Sequence, residues 1–168
     1  EKWTRERDIG IIASTVYGCL GTDVDYYDTV MPDKGAGASP AIFSYTLSNS
    51  YLGEAAIRFG LTGTNYVVTE QIPNGLAGLQ TALVHIGRGD AEKIIGGICD
   101  VGCPEVFDKK SKVAPGAVFL VLEKFVANER SIYSRLQLLR SGDLLLNGAK
   151  INGLSDLVQK CLVNLKQR

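Results

Sequence analysis

The stretch from Tyr66 to Leu83 constrains this chain more than any other. Tyr66-Val67-Val68-Thr69-Glu70 reads as a short strand, and Asn74 to Leu83 (NGLAGLQTAL) reads as the helix that follows it. A sharp strand-to-helix turn presents one side chain at the helix N-terminus, where free backbone N–H groups can hold an anion. Enzymes often place Cys or Ser at such a turn, because either attacks a carbonyl once activated. Here the residue is Gln71. Its amide is neutral and is no useful nucleophile. The chain is therefore either an enzyme of another kind or a relative of one that has lost its chemistry.

The other segments fit a layered α/β domain. Ile9 to Ser14 (IGIIAS) is a continuous apolar run, as expected for a strand covered on both faces. A short helix is predicted from Asp23 to Val30, then a breaker-rich loop from Met31 to Ser39 that contains Gly35 and Gly37. Pro40 to Phe59 reads as one or two helices. The helix after Gln71 runs to about Ile86 and stops at Gly87 and Gly89, with Leu76, Leu79, Leu83 and Ile86 as its core face. Further strands are predicted at Glu92–Ile98, Gly116–Glu123 and Ile132–Leu139, and an amphipathic helix at Leu154–Leu165. The reading is one domain over residues 1–168, with residues 140–168 as a C-terminal loop and helix extension.

Composition excludes several classes. The 168 residues carry a formal net charge of zero, with 45% hydrophobic and 21% charged residues. That balance gives no basic nucleic-acid surface and no polybasic membrane contact. No apolar run approaches the ~18 residues that span a bilayer, and no signal peptide is visible. The chain opens at Glu1 without methionine, as a processed or trimmed portion of something longer would. Cys19, Cys99, Cys103 and Cys161 are scattered, and His85 is the sole histidine, so no zinc ligand set forms. Reduced, buried thiols in a cytoplasmic protein are the expectation. Gly35 and Gly37 lack the lysine and Ser/Thr of a phosphate loop, and neither a cofactor nor a metal is expected.

The order of the pieces resembles the N-terminal half of the β-ketoacyl synthases, of thiolase-like fold. The resemblance rests on Ser39-Pro40-Ala41-Ile42-Phe43, Thr46-Leu47-Ser48-Asn49, Gly53 and Phe59-Gly60-Leu61-Thr62-Gly63 ahead of the strand and turn VVTEQIPNGLAGL. It continues through Gly87-Arg88-Gly89-Asp90-Ala91, the Gly96-Gly97 strand and the strand ending Val121-Leu122-Glu123, covering roughly residues 8 to 138. The resemblance implies a mixed sheet of roughly five strands covered by helices. It also places that half's first strand centrally, ahead of the segment matching Ile9–Ser14, yet no such strand precedes Asp8. Either upstream residues supply it or another segment fills the slot. Ile132–Leu139 is the one available.

Two departures from the family bear on function. Its nucleophilic cysteine stands at the turn, where this chain has Thr69-Glu70-Gln71, a tripeptide resembling the cysteine-less chain-length-factor subunits of type II polyketide synthases. The family's C-terminal histidines have no counterpart. His85 lies 14 residues from Gln71, about 20 Å along a helix, and is expected at the surface or in helix packing. Cys19 and Cys99 have no matched base to lower a thiol pKa. The resemblance therefore implies a non-catalytic, chain-length-factor-like partner in fatty-acid or polyketide-type synthesis, with Gln71 as the degenerate nucleophile position. Thr69, Asn74 and Cys19 are the candidates for an acyl pocket. Tyr66, Val67, Val68, Thr69 and Glu70 are the candidate interface, to a second copy or to an active β-ketoacyl synthase, with acyl carrier protein as a further partner. The alternatives are a structural or regulatory dimer and a weak malonyl decarboxylase centred on Gln71.

Overall fold

The structure, a computed structural model, describes residues 5–71, 73–104, 107, 113, 115–125 and 133–166. Its main sheet has four strands: β1 (Gly10–Thr15), β2 (Asn65–Thr69), β3 (Lys93–Asp100) and β4 (Gly116–Glu123), in the order β2-β1-β3-β4. β1 pairs in parallel with both β2 and β3, and β4 closes the far side antiparallel to β3. The apolar run at Ile9–Ser14 thus becomes the strand buried along its whole length.

Strand alternation sends residues to two different cores. Ile12, Tyr66, Val68, Ile94, Leu120 and Leu122 point to one face. Ile11, Ala13, Val67, Ile95 and Phe119 point to the other, under Tyr51, Leu52 and Ala55 of α3 (Ser50–Phe59). The first face is covered by α4 (Ala77–Arg88) through Leu79, Ala82 and Ile86. α1 (Leu20–Val30) and the single turn α2 (Pro40–Phe43) form a lobe between β1 and α3. The caps follow from residue type: Ser39 Oγ accepts from the Ile42 N–H ahead of Pro40, and Gly60 and Gly89 end α3 and α4 in the left-handed region, while Gly87, expected as a stop, lies inside α4.

The expectation for Ile132–Leu139 does not hold. Of that segment, Leu136–Leu138 forms β5, which pairs with β6 (Leu144–Leu146) and not with the main sheet; Ile132 lies outside the described residues. No vacancy exists to fill, because β1 is hydrogen-bonded directly to β2 on one side and β3 on the other. Residues 140–168 also hold more than a loop and a helix. β6 and β7 (Ala149–Ile151) form a hairpin, followed by α5 (Leu154–Lys166). Asn147 and Gly148 turn it with φ of 50° and 86°, the pair of positive values that a two-residue Asn-Gly turn favours.

This C-terminal unit belongs to the same core as α4. Leu144, Leu146, Ile151 and Leu157 are buried in one cluster with Ile12, Leu79 and Ala82. The Leu154 N–H bonds the Asn74 carbonyl at 2.8 Å, and the Gln80 amide reaches the Gly142 carbonyl at 2.9 Å. Leu157 is fully buried, so Leu157→Ala is expected to cost about 3 kcal/mol. Urea denaturation measures it, and a loss below about 1 kcal/mol would mean that α5 lies loosely on the core.

Candidate functional site

The turn after β2 is built around Glu70. Tyr66, Val68 and Glu70 share one strand face, so the same period that sends Tyr66 and Val68 into the core sends this carboxylate inward, to 6% exposure. A buried carboxylate needs donors, and three converge on it. Ser14 Oγ donates at 2.6 Å, the Gly75 N–H at 2.8 Å and the Ala77 N–H at 3.1 Å. α4 starts at Ala77, and its N-cap residue Leu76 has no side chain able to cap. Glu70 takes that role from upstream. Its charge also lies where the helix dipole favours an anion.

This occupancy limits the chemistry of the turn. An oxyanion formed here would compete with a fixed carboxylate for the same N–H groups and would be repelled by it. Gln71 itself is exposed. Asn74 is turned back on its own backbone, its Oδ1 accepting from the Leu76 N–H at 3.0 Å. Cys19 stands at the start of α1, with its thiol donating to the Thr46 carbonyl at 2.8 Å. Thr69 is exposed at the end of β2, opposite Thr15. Among the described residues, no hydrogen bond joins Cys19 or Asn74 to Gln71. A groove of 480 Å³ lies elsewhere, between the β6–β7 hairpin and α5, bordered by Leu146, Ala149, Asp156, Gln159 and Lys160.

Two groups had larger parts than their sequence positions suggested. Asp100, at the end of β3, is 5% exposed. It accepts from Thr15 Oγ1 at 3.0 Å, from the Val16 and Tyr17 N–H groups and from the Gly102 N–H, fixing the loops after β1 and β3 to each other. A lone acid ending an apolar strand was the available signal. His85 sits toward the far end of α4 from Gln71, between the Tyr66 hydroxyl (2.7 Å from Nε2) and Asp90 (3.0 Å from Nδ1). It packs β2 against α4.

Two of the thiols, those of Cys99 and Cys161, are held in the protonated form that does not attack. Burial, and next the Asp100 charge, pushes the Cys99 thiol up, and burial does the same for Cys161. Burial likewise raises the Tyr51 phenol beside Cys99. A folded-state pKa above the unfolded value means that the unfolded chain loses its protons first. Stability from these thiols is thus complete below about pH 8.5 and declines as pH rises through their folded pKa values. The urea midpoint is expected to fall between about pH 8 and pH 10, and Cys99→Ala/Cys161→Ala to flatten that fall. An unchanged slope would refute it.

Among the described residues, no group of three or more His, Cys, Asp or Glu is placed to hold a metal, and no helix is long and apolar enough to cross a membrane.

The sheet order, the inward turn after β2 and the helices on both faces define a thiolase-like half-fold, the fold of ketosynthases and chain length factors. Three solved structures similar to it are of that kind. The ishigamide ketosynthase/chain length factor matches with a TM-score of 0.64 at 20% identity, over 79% of this chain and 40% of that one. A type II polyketide synthase acyl-carrier protein in complex with its ketosynthase bound to the hexaketide matches at 0.57 and 15% identity, over 72% and 38%. A ketosynthase in complex with its chain length factor from Xenorhabdus doucetiae matches at 0.56 and 23% identity, over 73% and 52%. The chain thus spans about two fifths to one half of the chains it matches. No family model matches the sequence, and no curated protein does.

Proposed function

We propose that this chain is a non-catalytic, chain-length-factor-like partner of a β-ketoacyl synthase in fatty-acid or polyketide-type synthesis. The observation that carries this reading is the Glu70 carboxylate seated on the N–H groups that a reacting anion would need, beside an exposed Gln71. The likeness to ketosynthase and chain length factor structures supports the pairing, and one of those complexes includes an acyl-carrier protein.

β2 supplies the surface. It is an edge strand of the main sheet. The Thr64 carbonyl and the Glu70 N–H bond to β1, so alternation turns the N–H and C=O of Asn65, Val67 and Thr69 outward. An edge of this kind invites another strand. Glu70, grouped with the interface from sequence, donates its N–H to the Thr15 carbonyl of β1 and turns its side chain to the core. Thr69 and Gln71 lie at the exposed end of that edge, where a partner's acyl group would be met.

Val67→Pro tests the surface, since proline removes an N–H that β1 does not use and is tolerated on an edge strand. The wild-type chain is expected to co-purify with a β-ketoacyl synthase, with or without acyl carrier protein. The variant is expected to stay folded and to lose the complex at least about tenfold in affinity, since one N–H···O bond disappears and the proline ring stands where the partner strand would approach. Absence of any wild-type complex would sink the proposal. A complex indifferent to Val67→Pro would move the contact off β2.

A further inference from the structure

The lobe between β1 and α3 is folded yet has nothing beneath it. No residue from 20 to 50 is buried, although this span includes the helices α1 and α2. Tyr27, Met31 and Phe43 are each more than half exposed, and Tyr26 stacks on Phe43 with ring centroids 5.4 Å apart. A folded element that gathers several large apolar groups in water is an interaction surface in search of a cover. Its charge says what kind. Residues 8–33 contain five Asp and no Lys, Arg or His. Asp25, Asp28 and Asp33 are exposed, and none pairs with a cation among the described residues.

The complement lies in the same chain. Residues 109–168 hold eleven of the eighteen Lys and Arg against four Asp and Glu. There, Arg135 stacks over the Phe125 ring at 4.7 Å, and exposed Lys124 adjoins it. Phe125 is 53% exposed, so this patch also combines an apolar centre with charge. Lys124 and Arg135 form no ion pair among the described residues.

The two patches cannot neutralise each other within one molecule. α1 follows the end of β1, beside the end of β3, whereas Lys124 follows Glu123, which pairs with Lys93 at the start of β3. They therefore lie at opposite ends of the main sheet, a strand length of eight residues or about 26 Å apart. A second copy running antiparallel brings each patch to the other twice and closes the pair.

We infer that the acidic α1–α2 lobe docks on the Lys124–Phe125–Arg135 patch of a second copy of this chain, forming a closed, salt-sensitive pair. This contact uses neither the β2 edge nor the Gln71 turn, and it stands or falls apart from the proposed synthase partnership.

Sedimentation velocity on the chain alone tests it, with dilution series at ~20 mM and ~500 mM sodium chloride. The expected result is a twofold rise in mass at low salt, with a dissociation constant weakened at least about tenfold at high salt. Asp25→Lys/Asp28→Lys and Lys124→Glu/Arg135→Glu should each remain monomeric, and mixing the two variants should restore the pair. The Val67→Pro chain should still pair. A wild-type monomer at low salt overturns the inference, as does a dimer that ignores salt and both charge reversals, or one that Val67→Pro abolishes. Failure of the mixed variants to associate overturns it as well.

Discussion

Gly78→Ala is expected to abolish the fold or to cost more than about 4 kcal/mol. The helix α4 lies so close to the sheet at this point that a Cβ on Gly78 would fall on the Gly97 carbonyl oxygen, 2.9 Å from the Ser14 nitrogen and 3.2 Å from the Ala13 carbonyl carbon. All three neighbours are main chain of β1 and β3, so no rotamer change relieves the clash. The helix would have to lift, drawing Leu79 and Ala82 out of the core and moving the donors away from Glu70. Gly87, in the same helix, is the control, since a Cβ there meets nothing within 4 Å. Gly87→Ala should gain about 0.5–1 kcal/mol from helix propensity and reduced unfolded-state freedom. Urea unfolding of the two variants reads both effects. Gly78→Ala with wild-type stability would show that α4 stands farther from the sheet than described.

Glu70→Ala is expected to cost about 3 kcal/mol, because it strands two backbone donors and leaves the Ser14 hydroxyl only a long contact, 3.4 Å, to the Gly97 carbonyl. The Ser14 hydroxyl is fully buried, and the Gly75 and Ala77 N–H groups have no other acceptor among the described residues. Glu70→Gln should be milder, since an amide oxygen still accepts from one or two donors while its NH₂ must turn away from them. Gln71→Ala, one residue on, should change stability by no more than about 0.5 kcal/mol, as for an exposed side chain. Equal losses at positions 70 and 71 would contradict the seating of the carboxylate. So would a Glu70→Ala variant that unfolds at the wild-type urea midpoint.

Much of the framework was legible because it rests on patterns the backbone enforces. Continuous apolar runs located β1, β3 and β4, and the glycines at 60 and 89 marked helix ends that adopt the left-handed conformation. The turn at Gln71 was legible for the same reason, as a strand period giving way to a helical one. Glu70 was misplaced because it was read as part of an edge, although its spacing from Tyr66 and Val68 already assigned it to the buried face. The slot expected for Ile132–Leu139 came from the resemblance and not from the residues. What the residues said was local: Asn147-Gly148 between LLL and AKI is a hairpin signal, and a hairpin offers β5 a nearer partner than the main sheet does. Asp100 could not be placed from sequence, since Thr15, Val16 and Tyr17, which donate to it, lie more than eighty residues away.

The cluster that unites Ile12 with Leu157 also governs the order of events during synthesis. A ribosome delivers the chain from its N-terminus at ~5–20 residues per second. β1 therefore emerges about seven to thirty seconds before the helix that seals its core face. Through that interval α4 can gather on the strands, but Ile12, Leu79 and Ala82 lack the Leu144 and Leu157 side chains that later exclude water from them. Contacts of such long sequence separation slow folding. The nascent chain is thus most exposed to aggregation just before α5 emerges.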